Sequence, residues 1–314
     1  MDIFFAAFGR ITVLFVFILA GYILVKVKAL GDGSSAVLSK LENCLFIPSL
    51  VLGTFTANFT VEKISSAWKL FWFGLGLTFL MMIVAKLISN LVSKDKFTQN
   101  IYTYGLVFSN FGFMGNAVVS VVFPEMFLEY LIFTLPMWTM IYVWGVPCLL
   151  IPHDKEKGQS IKDRLRSFVN PMFVAMLIGI VIGISGLKIP QLLNSAITMS
   201  GDCMSPVSMI LTGVIVAQMD LKKVLGTISI YIVTFIRLLA LPLAAILSFA
   251  FINVPDLYVM CCVCALSMPL GLNIMVIPSA YGKDTSLAAG AIIVSHLLSL
   301  ITIPLIFALM MTVL

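Results

Sequence analysis

Residues 109–119 read SNFGFMGNAVV, inside a stretch (102–123) that is apolar enough to cross a bilayer. Two asparagines, a serine and two glycines stand near its middle. A buried amide costs free energy in hydrocarbon unless it is paired, and each glycine weakens a helix by about 1 kcal/mol relative to alanine. A segment that only spanned the membrane would have leucine and valine there. The stretch therefore predicts an interrupted span.

The chain has the composition of an all-α polytopic membrane protein. Of its 314 residues, 61% are hydrophobic and 11% are charged, whereas soluble domains have about 25% charged residues. The apolar runs are near 20 residues long, which favours helices over the short alternating strands of a barrel. We predict ten spans, at residues 5–26, 36–57, 67–92, 100–123, 127–151, 169–186, 191–217, 224–252, 256–280 and 286–313.

Lysine and arginine predict the orientation. Of the 19 basic residues, fourteen follow odd-numbered spans, four lie on the opposite side, and Arg237 lies within span eight. Because cytoplasmic loops are rich in lysine and arginine, the loop at 153–167 is expected in the cytoplasm and both termini outside. The basic residues lie in short loops, so the net charge of +5 does not indicate nucleic acid as a partner. We expect a multi-pass protein of the inner (cell) membrane.

The two halves of the chain echo each other at an offset near 158 residues. A repeat of five spans must be inverted in the membrane because five is odd, and inverted repeats are typical of secondary transporters. The predicted units are a first repeat (1–151), a cytoplasmic loop (152–168) and a second, inverted repeat (169–314). The echoes are residues 48–50 with 206–208, residues 60–63 with 220–223, Gly112 with Gly271, and Pro147 with Pro304.

Span nine is interrupted at the position equivalent to the interruption of span four, by SMPLGLN at residues 267–273. Two such spans point to a transporter's binding site. The free N–H groups of a half-helix N-terminus carry about half a positive charge and would attract an anion, with asparagines as donors. The alternative is that these residues only permit close helix packing. The candidate substrate-binding residues are Asn110, Gly112, Gly115, Asn116, Pro269, Gly271 and Asn273.

Four motifs together resemble the auxin efflux carrier family, in particular its bacterial branch of malate and malonate permeases. They read NFGFMGNAV (110–118), MPLGLN (268–273), AYGKD (280–284) and SHLLSLITIPLI (295–306). The resemblance implies the fold of bile-acid:sodium symporters and sodium/proton antiporters, in which spans four and nine unwind and cross at a carboxylate site. It also implies an elevator-like movement of that unit against a scaffold of spans one, two, six and seven.

By motif position, Asn110 and Asn273 resemble the family's polar residues at the crossing, and Pro269 resembles its crossing proline. Plant members have a proline where this chain has Ser109. The break in span four would then depend on glycine and asparagine alone.

Four ionisable residues are predicted inside spans, where such groups suggest function. Asp202 could carry a coupling proton or Na⁺, or pair with Arg237, which could instead attract the anion. His296 could titrate near neutral pH or donate to a backbone carbonyl. Glu42 could couple an ion or face cytoplasmic water beside Lys40. No cofactor is expected apart from such a coupling Na⁺ or H⁺.

The leading function is secondary active transport of small organic anions such as mono- or dicarboxylates. No GxxxxGK[ST] motif is present, so an ion gradient, the membrane potential or exchange would supply the energy. The alternatives are a sensor with a transporter fold and an intramembrane enzyme, for which HExxH, GxSxG and paired aspartates are lacking. No catalytic or metal-binding residue is predicted. The expected partners are the organic anion and the lipid bilayer, with a homodimer as the oligomer considered.

Trp138 and Tyr142 lie four residues apart in span five. We expect them to pack in the core, with a position facing the site as the alternative.

Overall fold

The computed structural model describes residues 2–31, 33–151, 171–218, 226–252 and 254–314. Nearly all of these residues are helical, and the only extended pairing within these ranges is one antiparallel bridge between Ser109 and Leu270. The predicted cytoplasmic loop at 152–168 and the basic pair at 222–223 lie outside the described residues. The all-helical class predicted from composition is therefore confirmed.

The helices follow the predicted spans closely. Six of them are long and apolar enough to cross a membrane: α2 (Ser34–Asn58), α4 (Trp68–Val92), α7 (Pro124–Leu150), α9 (Gln191–Gln218), α10 (Ile228–Phe251) and α13 (Ser286–Val313). The others are α1 (Asp2–Lys26), the short α3 (Val61–Ser66), α5 (Lys96–Val107), α6 (a π-helical turn Phe111–Gly115 continued by Asn116–Val122), α8 (Pro171–Ser185), α11 (Asp256–Leu266) and α12 (Asn273–Ala280).

Glycines allow close contact between α1 and α9. A Cβ atom on Gly21 would overlap the carbonyl oxygen of Ile210, and one on Gly213 would overlap that of Ile18. Small residues of this kind let helix backbones approach closely in a membrane, where packing rather than burial from water drives association. The glycines of α8 approach the backbone of α2 in the same way, and they are Gly179 and Gly183.

Both spans that were predicted to be interrupted are interrupted. The first break comprises residues 108–110, between α5 and α6, and the second comprises residues 267–272, between α11 and α12. The chain is extended at Phe108, with φ −109° and ψ 92°. The first break therefore forms without a proline. The two breaks meet at the bridge between Ser109 and Leu270, and we call this meeting point the crossing.

Candidate functional site

The first break donates hydrogen bonds to the second broken span. The backbone N–H of Asn110 donates to the carbonyl of Pro269 at 2.8 Å, and the Ser109 hydroxyl donates to the carbonyl of Ala265 at 2.8 Å. Backbone groups that leave a helix inside a membrane must find partners. Each break supplies partners for the other, so neither is exposed to lipid as unpaired backbone.

Arg237 binds the ends of both first half-helices. Its guanidinium donates to Leu106 O at 2.9 Å, to Ala265 O at 2.8 Å and to Met268 O at 3.0 Å, and the side chain is fully buried. A cation at helix C-termini is favoured by the negative end of the helix dipole. Asp202 is exposed and is not among these partners. The ion pair that the sequence left open is therefore not formed.

A small cavity lies at the crossing. About 10 Å³ of it is accessible to the centre of a water molecule, which is room for about one water. Of the seven predicted substrate-binding residues, Asn110, Gly112, Gly271 and Asn273 line it, whereas Gly115, Asn116 and Pro269 do not. The rest of the lining is Tyr104, Phe108, Ser109, Phe111, Trp138, Ile141 and Leu272.

Both asparagines that line the cavity already use their amide nitrogens in hydrogen bonds to other side chains. Asn110 Nδ2 donates to Nε2 of His296 at 3.0 Å, and Asn273 Nδ2 donates to the Tyr104 hydroxyl at 2.8 Å. The amide oxygen of each asparagine is buried and has no hydrogen-bond partner within the described structure. A buried polar atom without a partner is costly, which is typical of a site built for a ligand.

The cavity is also lined by the first residues of two helices. Phe111 and Gly112 begin α6, and Asn273 begins α12. Neither N-terminus receives a side-chain cap. The N–H groups of residues 114, 115 and 274–276 already donate to carbonyls within their own turns, so the donors left for a ligand are the first N–H groups of each helix. These donors and the two asparagines offer binding groups to a small polar ligand.

Trp138 and Tyr142 both pack in the buried core, as expected, and Trp138 also lines the cavity. The Trp138 ring packs edge-on against Phe111 at 5.4 Å and stacks on Tyr142 at 6.2 Å. Gly112 makes room for it, because a Cβ there would overlap the indole. The four-residue spacing of Trp138 and Tyr142 was the only feature of the sequence that indicated an aromatic side of the cavity. Tyr104 and Ile141 carried no such signal, because both read as ordinary apolar positions of a span.

The other ionisable candidates lie in different places. His296 is fully buried and contacts Asn110 at the crossing. Glu42 is fully buried in a π-helical turn (Glu42–Phe46) of α2, which contradicts the alternative that it faces cytoplasmic water. Its neighbour Asn43 donates to Val276 O of α12 at 3.2 Å. The structure thus brings His296, but not Asp202, to the candidate site.

Membrane-length helices around two broken spans that meet at a small cavity, with asparagines among aromatic and apolar walls, are typical of a membrane transport protein. The family model described as "Membrane transport protein" matches residues 6–307. The chain therefore belongs to this family, the auxin efflux carrier family, which confirms the family predicted from the motifs, whereas its branch of malate and malonate permeases stays a prediction. No curated protein matches the chain. The family is one of transporters, in agreement with a non-enzymatic role.

Proposed function

We propose that this protein is a secondary transporter of small organic anions, most simply mono- or dicarboxylates, which it binds at the crossing. The observation that carries the proposal is the cavity lined by the N-termini of both second half-helices, α6 and α12. Free N–H groups and the positive end of the helix dipole favour an anion there. The asparagines Asn110 and Asn273 add polar groups that orient it.

The architecture supports ten spans in two inverted repeats. Counting the broken pairs α5–α6 and α11–α12 as one span each, and leaving out the short α3, the helices make ten consecutive spans. An inverted repeat exchanges span one with six and span two with seven. The glycine-mediated pairs follow this rule, because α1 packs on α9 as α8 packs on α2.

The small cavity supports a closed state of an elevator-like cycle. Space for about one water cannot hold a dicarboxylate, so the crossing must open during transport. Few polar bonds join α2 to the crossing unit: Ser39 Oγ donates to Ser279 Oγ at 3.0 Å, and Asn43 Nδ2 donates to Val276 O. These bonds would break when α12 slides past α2.

Transport into proteoliposomes tests the proposed function. Purified protein is reconstituted, and uptake of radiolabelled lactate, malonate, malate, succinate and indole-3-acetate is measured with imposed Na⁺ or pH gradients. We expect saturable uptake of at least one carboxylate, and loss of its binding in Asn273→Ala. The matched control is Gly76→Ala, an exposed helix position where an added Cβ meets nothing within 4 Å. Folded protein that neither binds nor transports any of these acids would contradict the proposal.

A cross-link tests the elevator movement separately. Ser39→Cys and Ser279→Cys are combined after the exposed Cys44, Cys148 and Cys203 are changed to serine. Oxidation should arrest uptake, and reduction should restore it. The single variant Ser39→Cys is the control and should be insensitive to oxidant. Uptake that continues at full rate in the cross-linked protein would contradict relative movement of α2 and α12.

A further inference from the structure

We propose that His296 is the proton-binding site of transport and that its protonation turns the Asn110 amide from an acceptor into a donor toward the substrate. The inference rests on the proposed function and names its coupling ion. Both residues are fully buried at the crossing, His296 on α13 and Asn110 in the first break.

The hydrogen bonds of His296 fix its tautomer. Nδ1 lies 2.8 Å from the carbonyl oxygen of Ile292, which can only accept, so Nδ1 carries a proton. In the neutral ring Nε2 then has a lone pair and needs a donor. Asn110 Nδ2 fills that need at 3.0 Å. Neutral His296 therefore holds the amide with its nitrogen toward the imidazole.

The same geometry leaves a hydrogen-bond acceptor of Asn110, rather than a donor, free to face an anion. With Nδ2 bound to His296, the free end of the amide is Oδ1, which is buried and unpaired. Asn110 lines the cavity, where the N-termini of α6 and α12 favour negative charge. An amide oxygen there opposes a carboxylate, so the neutral state is set against anion binding.

Protonation reverses this arrangement. An imidazolium donates from both nitrogens, so Nε2–H requires an acceptor, and the amide must turn by half a revolution to present Oδ1. Its Nδ2 then becomes free to donate toward a carboxylate in the cavity. Hydronium from the aqueous phase gives up the proton and becomes water, and the proton stays on Nε2. No other group needs to ionise.

The charges around His296 favour binding proton and anion together. Arg237 already holds a buried positive charge at the crossing. A second buried cation costs free energy unless an anion accompanies it. The helices packed against α13 carry eleven titratable side chains that the structure describes, and none of these forms a hydrogen bond with His296. The eleven side chains are Tyr22, Lys26, Asp202, Cys203, Tyr231, Arg237, Asp256, Tyr258, Cys261, Cys262 and Cys264.

The orientation of the Asn273 amide does not depend on the protonation of its partner. Its partner is the Tyr104 hydroxyl, which can both donate and accept. The Asn273 amide can therefore turn while the hydroxyl rotates, without any change in protonation. One of the two crossing amides is controlled by a proton and the other is not, which predicts one coupled proton per chain.

Nitrogen NMR of the histidine tests the switch directly. The chain has two histidines, and His153→Asn leaves His296 as the only imidazole observed. At about pH 8 without ligand we expect the neutral tautomer with the proton on Nδ1. At about pH 6 with a saturating carboxylate from the panel above, we expect both nitrogens to be protonated. A ring that stays neutral with the carboxylate bound would overturn the proposal.

Proton uptake on binding provides the second test. Lactate, malonate, malate and succinate are added to weakly buffered protein with an indicator dye, and protein-free titrations subtract the ionisation of each acid. We expect up to one proton taken up per chain, and an affinity that rises by up to about tenfold for each unit fall in pH. His296→Gln should remove the uptake and flatten the pH dependence. Glu42→Gln and Asp202→Asn should keep both.

The outcomes separate the two proposals. If none of the acids binds, both the proposed function and this inference are contradicted. Binding without proton uptake contradicts this inference alone, as does uptake that persists in His296→Gln or disappears in Glu42→Gln. If His296→Gln fails to fold, the NMR measurement on the native histidine still decides the question.

Discussion

The first break is shorter than the second, and the two are held open differently. The second spans residues 267–272 and contains Pro269, which has no N–H to continue a helix. The first spans residues 108–110 and contains no proline. Its backbone is held by contacts with the second break. A break without a proline can therefore be held open by hydrogen bonds to a second broken span.

The largest effect is expected from removing the group that both first half-helices share. Arg237→Met deletes three hydrogen bonds from a charged donor to buried carbonyls. The expected loss is about 3–5 kcal/mol in the free energy of unfolding, measured by SDS-induced unfolding in mixed micelles. Arg237→Lys keeps the charge but not the three-way geometry and should lose less. Full stability in Arg237→Met would show that the two half-helices do not depend on this residue.

A methyl group at each break should have unequal effects. A Cβ on Gly271 would lie 2.8 Å from the backbone oxygen of Phe108, whereas one on Gly112 would meet the Trp138 ring. The overlap with the Trp138 ring is the deeper one, and that ring is buried between Phe111 and Tyr142 and has little room to move, so Gly112→Ala should cost about 1–3 kcal/mol and Gly271→Ala less.

The same SDS unfolding measures both variants, with Gly76→Ala as the control. Carboxylate binding by Gly112→Ala should change as well, because Trp138 forms the wall of the cavity. Equal losses in Gly271→Ala and Gly112→Ala would contradict the difference between the breaks.

The serine of the first break should matter more than the serine that begins the second. Ser109→Ala removes a bond between the two broken spans, at an expected cost of about 0.5–1.5 kcal/mol. Ser267→Ala removes only a local hydrogen bond from the Ser267 hydroxyl to Val263 O. Val263 O still accepts a hydrogen bond from the backbone N–H of residue 267. Thermal unfolding of the two variants side by side measures the difference. A larger shift for Ser267→Ala would contradict this view of the first break.

The smallest effect concerns the outer ends of the half-helices. Asp95 caps α5 by accepting from the N–H of Thr98 at 2.8 Å, whereas Pro255 before α11 gives no side-chain cap. This bond lowers the pKa of the Asp95 carboxyl. Because the folded-state value is the lower one, its stabilisation is present at neutral pH and fades as the pH falls through the ordinary range of an aspartate and below.

Asp95→Ala should lower the free energy of unfolding by about 1 kcal/mol at pH 7. Asp95→Asn should keep most of the cap and lose its pH dependence. Thermal unfolding at several pH values compares the three proteins. A difference between Asp95→Ala and the native chain that does not shrink in acid would refute the role of the carboxylate.

The fold could be predicted largely from the sequence because a membrane leaves few choices. Apolar runs near 20 residues must be helices, and mid-span Asn110, Gly112 and Gly271 marked both breaks. The π-helical turns were not predictable, since they add one residue to a turn without a compositional signature. The one at Glu42 is an example, and it buries a carboxylate that reads as interfacial beside Lys40.

The site was only partly predictable, because contacts across the chain decide it. Asn110 and Asn273 follow from polarity in an apolar span. Their partners His296 and Tyr104 do not, since they come from other spans and no local spacing relates them. Arg237 shows the same limit: its partners are backbone carbonyls, which carry no sequence signal at all.

The sequence separation between the first break and its hydrogen-bond partners also has a consequence for biosynthesis. Ser109 is separated from its partner Ala265 by 156 residues, and Asn110 from His296 by 186. At about 5–20 residues per second, the ribosome needs roughly 8–40 seconds after making span four to supply these partners. Until then the polar groups of the first break reside in the translocon or bilayer without them. The hydrogen bonds of an early span are therefore completed only after the last helices of the chain have been made.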